Sequence, residues 1–115
     1  MLNQYFKRSE FACRCGCGTS TVDAELLQVI TDVREKFGPV IINSGHRCVK
    51  HNAAVGGAKN SMHTTGKAAD IRIPGVSPAR VWSYLTEKYE GKYGIGQYDS
   101  FTHIDVRDTA ARWHG

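Results

Sequence analysis

The segment "SMHTTGKAADIRI", residues 61–73, combines a strand-like ending with two side chains of the kinds that bind metal ions. Its last five residues, 69–73, alternate apolar and charged side chains, and a Pro-Gly pair follows them. This alternation predicts a half-buried β-strand that ends at the Pro-Gly pair. Asp70 lies within the predicted strand, and His63 lies seven residues earlier on the loop that leads into it. Whether the two share a site depends on which strand lies beside this one.

Three further stretches have the composition of short strands. They are "VIINS" at 40–44, "GIGQY" at 94–98 and "THIDV" at 102–106, and a tight connection joins the last two. His103 lies in the last of these strands. Because neighbouring strands bring their side chains together, Asp70 and His103 are expected to contribute to one site with the loop histidine.

Two helices are predicted outside these strands. From 22 to 37 apolar residues recur at mostly helical spacing, and a Gly-Pro pair ends the pattern. Thr21 and Asp23 are both candidate N-caps for this helix. Ser77 and Pro78 form a favourable start for the second helix, because serine caps a helix and proline suits its first position. This second helix is therefore expected to be inserted between strands.

The stretch from 45 to 66 is rich in Gly, Asn, Ser and Lys and shows little periodicity. It is predicted to be a long loop without a regular element, and such loops are commonly functional. Together the elements predict one α+β domain over residues 1–115, with an N-terminal helix, a small mostly antiparallel sheet and the inserted helix. The cysteine-containing segment 1–20 is expected to pack on this domain.

The 115-residue chain carries a formal net charge of +4, which is compatible with plain solubility or with attraction to a polyanion. Its 15 basic residues are spread along the sequence without a Lys/Arg run, which disfavours nucleic acid as a partner relative to an anionic cell-wall polymer.

No apolar run approaches the roughly 20 residues of a membrane span. The N-terminus also lacks the apolar core of a secretory signal. We therefore expect that the protein is made in the cytoplasm and that it does not insert into a membrane.

The histidines and the aspartate match the ligands of a catalytic zinc ion. Such an ion uses three protein ligands of nitrogen and oxygen type and keeps a fourth position open for water. His63, Asp70 and His103 satisfy that count and that chemistry. Asp105 lies two residues after His103 and points to the same face of its strand. It is placed either to orient that histidine or to act on the bound water.

The four cysteines are a separate candidate for metal or redox chemistry. Cys13, Cys15 and Cys17 follow a CxCxC pattern, and Cys48 lies on the later loop. Structural zinc sites more often space paired cysteines as CxxC. Three interpretations stay open: reduced thiols, a disulfide from one of the three to Cys48, and a second metal ion bound by the thiolates. We expect one catalytic zinc ion and do not favour the second metal.

A longer string, "SGHRCVKHNAAVGGAKNSMHTTGKAADIRI" at 44–73, resembles the zinc D-alanyl-D-alanine carboxypeptidase family of peptidoglycan peptidases. The small bacterial and phage endolysin members carry SGYR-like, HN-x-x-VGG, S-x-H-x-x-G-x-A-x-D and H-x-D strings in this order. "FKRSEFACRCGCG" and the closing "ARW" also fit, so the resemblance runs from about Phe6 to Trp113. It implies the fold that these peptidases share with the signalling domain of hedgehog proteins.

The resemblance also implies roles for individual residues. The histidine and aspartate of S-x-H-x-x-G-x-A-x-D and a later histidine bind zinc in the family, which implies His63, Asp70 and His103 here. The arginine of the SG-x-R string is implied to hold a substrate carbonyl or carboxylate, and the donor fork of the Arg47 guanidinium suits that task. Two further candidates for substrate binding are His46, which adjoins Arg47 in the sequence, and Ser61, which lies two residues before His63.

The general base departs from the pattern of many relatives. They place a Glu or Asp three residues before the last histidine ligand, or a His two before it, and here those positions are Ser100 and Phe101. Asp105 belongs to the H-x-D form of the small members and is the favoured base. Asp99, four residues before the last histidine, is the alternative.

We therefore predict a zinc-dependent peptidase that hydrolyses peptidoglycan stem peptides, either as a D-Ala carboxypeptidase or as a cross-link endopeptidase. One alternative is a non-catalytic zinc-binding recognition or structural module of the same fold. It is favoured by the lack of an acid or a histidine at the usual base positions. Another is a metal-organised nucleic-acid binder built on the cysteines, which requires one continuous basic patch. A monomer is expected, and it would reach the cell wall through a holin or another release route, as an endolysin does.

Overall fold

A five-stranded sheet forms the centre of the computed structural model, which describes residues 3–14, 16–17, 20–56 and 61–115. The strands are β1 (Ile41–Ser44), β2 (Ala68–Arg72), β3 (Gly94–Gln97), β4 (Thr102–Asp105) and β5 (Ala111–His114). Their order across the sheet is β1-β2-β4-β3-β5, with β3 and β5 parallel and the other pairings antiparallel. The predicted α+β class with a small, mostly antiparallel sheet is confirmed.

The helices in the described residues are α1 (Ala24–Phe37), α2 (Val49–Ala54) and α3 (Pro78–Lys88). Of the two candidate caps of α1, Asp23 is the N-cap, and its side chain accepts hydrogen bonds from the backbone N–H groups of Glu25 and Leu26. Ser77 caps α3 with Pro78 at its first position, and the helix is inserted between β2 and β3 as predicted. None of these helices has both the length and the apolar character that a membrane crossing requires.

The prediction of a long loop without regular elements at 45–66 is wrong in part. The stretch contains α2 and a short 3₁₀ helix, Met62–Thr65. Each is less than two turns long, so hydrophobic periodicity has too few positions to reveal it. The strand β5 was also missed, because an alternation over only four residues is too short to indicate a strand.

The N-terminal segment 3–14 packs against the stretch that follows β1. Phe6 and Phe11 are almost fully buried, with their rings in edge-to-face contact. The Phe11 carbonyl accepts a hydrogen bond from the His46 backbone N–H at 2.8 Å. A Cβ added at Gly45 would lie 2.7 Å from both the Cα and the carbonyl oxygen of Phe11, so only glycine allows this approach. The contact fixes the position of the Gly45 carbonyl, which faces the site described next.

Candidate metal centre

One row of residues across the sheet forms the base of the site. Asp70 on β2 lies directly opposite His103 on β4, and on its other side it pairs with Ser44 on β1. Beyond β4, Gly96 of β3 is the partner of His103, and Trp113 of β5 follows Gly96. The row thus brings together the aspartate and the histidine of the two strand patterns.

His63 enters the site from the short 3₁₀ helix Met62–Thr65. The Ser61 side chain caps this helix by accepting a hydrogen bond from the His63 backbone N–H at 3.2 Å. The ring is buried, and its Nδ1 lies 2.7 Å from the carbonyl oxygen of Gly45. Because a carbonyl oxygen only accepts, Nδ1 carries a proton, and Nε2 is the ring nitrogen that faces Asp70. Nε2 lies 3.4 Å from Asp70 Oδ2.

Asp70 and His103 are in direct contact, with Asp70 Oδ1 2.9 Å from His103 Nδ1. Burial acts to raise the pKa of Asp70, but hydrogen bonds with His103 and His63 outweigh it and hold that pKa well below its usual range. Burial likewise acts to lower the pKa of His103, whereas contacts with Asp105 and Asp70 raise it above its ordinary value. Asp70 therefore keeps a negative charge in the middle of the site.

The donor atoms of His63, Asp70 and His103 all lie within 4.8 Å of one another. Two imidazole nitrogens and a carboxylate oxygen are a ligand set that zinc accepts. Each histidine also has its other ring nitrogen held by an acceptor, the Gly45 carbonyl for His63 and the Asp105 carboxylate for His103. Such partners fix the tautomer and orientation of metal-binding histidines. The cluster fits a zinc ion, and the role of these three residues as ligands stays a prediction.

Asp105 is fully buried behind His103. Its Oδ2 lies 2.7 Å from His103 Nε2. Arg107 donates two hydrogen bonds of 2.7 Å to the carboxylate, one to each oxygen, and the Gly94 backbone N–H donates a third. Burial acts to raise the pKa of Asp105, but the contacts with Arg107 and His103 lower it to about 2. The carboxylate is thus an anion with its oxygens already occupied by donors.

Glycines on β3 provide the space that this arrangement needs. A Cβ added at Gly94 would lie 2.5 Å from Asp105 Oδ1 and would also collide with the Arg107 side chain. A Cβ at Gly96 would collide with the indole of Trp113. Glycine within a strand often marks such close approaches. The strand pattern "GIGQY" therefore contains residues that the site requires, although sequence reasoning assigned them no role.

Arg47 lies at the edge of the metal cluster, with its side chain held by two neutral acceptors and by the Asp70 carboxylate. Nε donates to Ser44 Oγ and one terminal nitrogen donates to Asn52 Oδ1, both at 3.1 Å. The other terminal nitrogen lies 3.4 Å from Asp70 Oδ2. The Arg47 backbone N–H also donates to the His63 carbonyl at 2.9 Å. These contacts hold the guanidinium in one orientation beside the candidate ligands.

A cleft of about 550 Å³ opens over the row. Among the residues predicted for catalysis or substrate binding, Arg47, Ser61 and Asp105 line it. His46 does not, because it is buried and its Nδ1 accepts a hydrogen bond from the Thr21 backbone N–H. Asp99 is exposed and does not line the cleft either. The roles of all five stay predictions, and the cleft position favours those of Arg47 and Ser61, whereas Asp105 is fully buried behind His103.

Sequence reasoning missed an aromatic and basic part of the cleft. Its residues are Tyr98, Phe101, Arg107 and Trp113. The rings of Tyr98 and Phe101 stack with their centroids 4.5 Å apart, and the Trp113 indole N–H donates to the Tyr98 hydroxyl. Arg107 was detectable in principle, since it continues the period-two alternation of His103 and Asp105. The aromatic residues had no such signal.

Comparisons with known proteins identify the family to which the chain belongs. The sequence model of the peptidase M15 family matches residues 4–105. The chain is 31% identical over 94 residues to the probable peptidoglycan L,D-endopeptidase MepK of Haemophilus influenzae, a match that covers 74% of this chain. The chain spans about half the length of that relative, since the match covers 50% of it. The resemblance drawn from the motifs is confirmed, and the protein belongs to the peptidase M15 family.

Proposed function

We propose that the protein is a zinc-dependent peptidase that cleaves peptide bonds in peptidoglycan stem peptides. The observation that carries the proposal is the cluster of His63, Asp70 and His103 at the base of an open cleft. Membership of a peptidase family and the printed activity of the Haemophilus relative support the reaction class and the substrate class. An endopeptidase cut is favoured over carboxypeptidase activity because of that relative, and an endolysin-type role stays a prediction.

The three clustered residues would hold the zinc ion through His63 Nε2, His103 Nδ1 and an Asp70 oxygen. When bound, the ion supplies Lewis-acid chemistry, polarising the scissile carbonyl and making water a better nucleophile. The Gly45 carbonyl and the Asp105 carboxylate hold the protons of the two imidazoles on the nitrogens that face away from the cluster. With the ion bound, the nitrogens that face it, His63 Nε2 and His103 Nδ1, would present their lone pairs.

Arg47 is proposed to bind the peptide beside the metal cluster. Its Nε and one terminal nitrogen are engaged by Ser44 and Asn52, while the other terminal nitrogen faces Asp70. Because a guanidinium is always charged and holds its donors in a rigid plane, it can direct a peptide carbonyl or carboxylate toward the cluster. The stacked rings of Tyr98 and Phe101 would form the apolar wall of the same cleft.

Metal removal and restoration test the proposed function directly. We expect the zinc-loaded protein to release soluble fragments from purified peptidoglycan, the chelator-treated protein to release none, and zinc addition to restore the release. Mass spectrometry of the fragments identifies the bond that is cut. The folded state of the chelated protein, followed by circular dichroism, serves as the control. A zinc-loaded protein that binds the wall but cleaves none of several wall types would instead indicate the non-catalytic module.

Replacing Arg47 by alanine is expected to lower kcat/KM on a stem peptide by about 10- to 100-fold, because a charged hydrogen bond to the substrate is lost. Arg47→Lys should recover only part of the loss, since lysine lacks the planar donor fork. Arg72→Ala is a matched control, because Arg72 is exposed on the neighbouring strand. Equal rates for Arg47→Ala and the wild type, at unchanged zinc content, would exclude Arg47 from substrate binding.

A further inference from the structure

A second group of metal-binding side chains lies outside the cleft. Cys13 and Cys17 come from the N-terminal segment, and Cys48 directly follows Arg47. Their sulfur atoms all lie within 4.8 Å of one another. Cys13 is buried, Cys48 is partly buried and Cys17 is exposed. Three thiols from two distant parts of the chain therefore converge on one point, and the proposed peptidase mechanism uses none of them.

The distance between the sulfur atoms distinguishes two ways in which they can be linked. Cys13 Sγ lies 3.8 Å from Cys48 Sγ. A disulfide bond requires about 2.05 Å between the sulfur atoms. Two thiolates bound to one tetrahedral zinc ion, each at about 2.3 Å from it, lie about 3.8 Å apart. The separation is therefore too long for a disulfide bond and matches the spacing of two sulfur ligands of one zinc ion.

Backbone donors are also directed at these sulfur atoms. The Cys48 N–H donates to Cys13 Sγ at 3.4 Å, and the His51 N–H donates to Cys48 Sγ at 3.4 Å. Hydrogen bonds to the charged form of a group favour that form. Since the thiolate and not the thiol is the metal ligand, such donors favour metal binding.

We propose that Cys13, Cys17 and Cys48 bind a second, structural zinc ion as thiolates. The proposal rests on these three residues; Cys15 lies outside the described residues. The ion would join the N-terminal segment to the stretch that carries the Gly45 carbonyl, Arg47 and Cys48, and Cys48 lies 35 residues after Cys13 in the sequence. Because the thiols must lose their protons to bind zinc, loading should release protons and should stabilise the folded chain.

Cobalt substitution of the wild-type protein is the first test, because it needs no variant. The protein is purified with a phosphine reductant, stripped with a chelator and reloaded with Co²⁺. We expect two ions per chain and a near-ultraviolet thiolate-to-cobalt charge-transfer band, which nitrogen and oxygen ligands do not produce. One ion per chain without that band would overturn the proposal.

Zinc counting on two variants separates this site from the cleft. We expect two zinc ions per chain in the wild type, one in Cys13→Ser and one in His63→Ala. Only His63→Ala should lose the ion that peptide cleavage requires, so failure of the cysteine site and failure of the proposed function are distinguishable. As an opposing test, protein is prepared without reductant and alkylated, and its intact mass is measured by mass spectrometry. A disulfide bond between Cys13 and Cys48 in this protein would overturn the proposal.

Discussion

Replacing His63 by alanine is expected to remove one equivalent of zinc per chain and to abolish peptide cleavage. Loss of a residue that merely orients a ligand lowers metal affinity by about 10- to 100-fold, so loss of a ligand itself should cost at least about 100-fold. The remaining pair, Asp70 and His103, supplies only two of the three protein ligands that a catalytic zinc site uses. Zinc content after dialysis and the rate of peptidoglycan release are the measurements.

A control is needed because the substitution also affects the fold. The Gly45 carbonyl loses its partner when the imidazole is removed, and an unsatisfied buried acceptor costs about 1–3 kcal/mol. Thermal unfolding of the metal-free proteins measures this cost separately from metal loss. His51→Ala is a matched variant, since His51 lies in α2 and is not among the described residues that line the cleft. Full zinc content in a folded His63→Ala protein would refute the assignment of His63 as a ligand.

The parts of the fold that could be predicted are those with strong local signals. The alternation at 69–73 and at 102–106 identified β2 and β4, and these two strands are neighbours in the sheet. Asp70 and His103 are directly paired in the register of these strands. Two strand patterns were therefore enough to place both side chains in one row. The caps at Asp23 and Ser77 were predictable because side-chain oxygens satisfy the first N–H groups of a helix.

The parts that could not be predicted depend on contacts between distant segments. The tautomer of His63 is set by the Gly45 carbonyl, whose position depends on the packing of Phe11. The place of β5 at the sheet edge depends on parallel pairing with β3, and a four-residue sequence does not reveal its pairing partner. The exclusion of His46 from the cleft follows from its hydrogen bond with Thr21, 25 residues away. Each of these needs the folded chain and not the sequence alone.

Replacing Asp105 by asparagine is expected to lower zinc affinity by about 10- to 100-fold and to leave activity largely recoverable at saturating zinc. Asparagine keeps the size of the side chain and one acceptor oxygen but removes the negative charge that faces His103 Nε2. Arg107 and Gly94 already donate to the same carboxylate, so its oxygens are occupied on the side away from the imidazole. These contacts favour a residue that positions His103 over one that takes up protons.

The alternative role of Asp105 as general base predicts a different result for the same variant. Loss of a general base lowers kcat by about 10²- to 10⁴-fold, leaves zinc affinity unchanged and is not reversed by added zinc. A zinc titration of kcat for Asp105→Asn therefore separates positioning from proton transfer.

Asp99→Asn tests the other candidate base, and we expect wild-type kcat because Asp99 is exposed and outside the cleft. Asp108→Asn, an exposed aspartate on the same segment as Asp105, controls for the loss of one negative charge. If Asp105→Asn keeps its zinc but loses kcat while the other two variants remain active, Asp105 is the base and the positioning role is wrong.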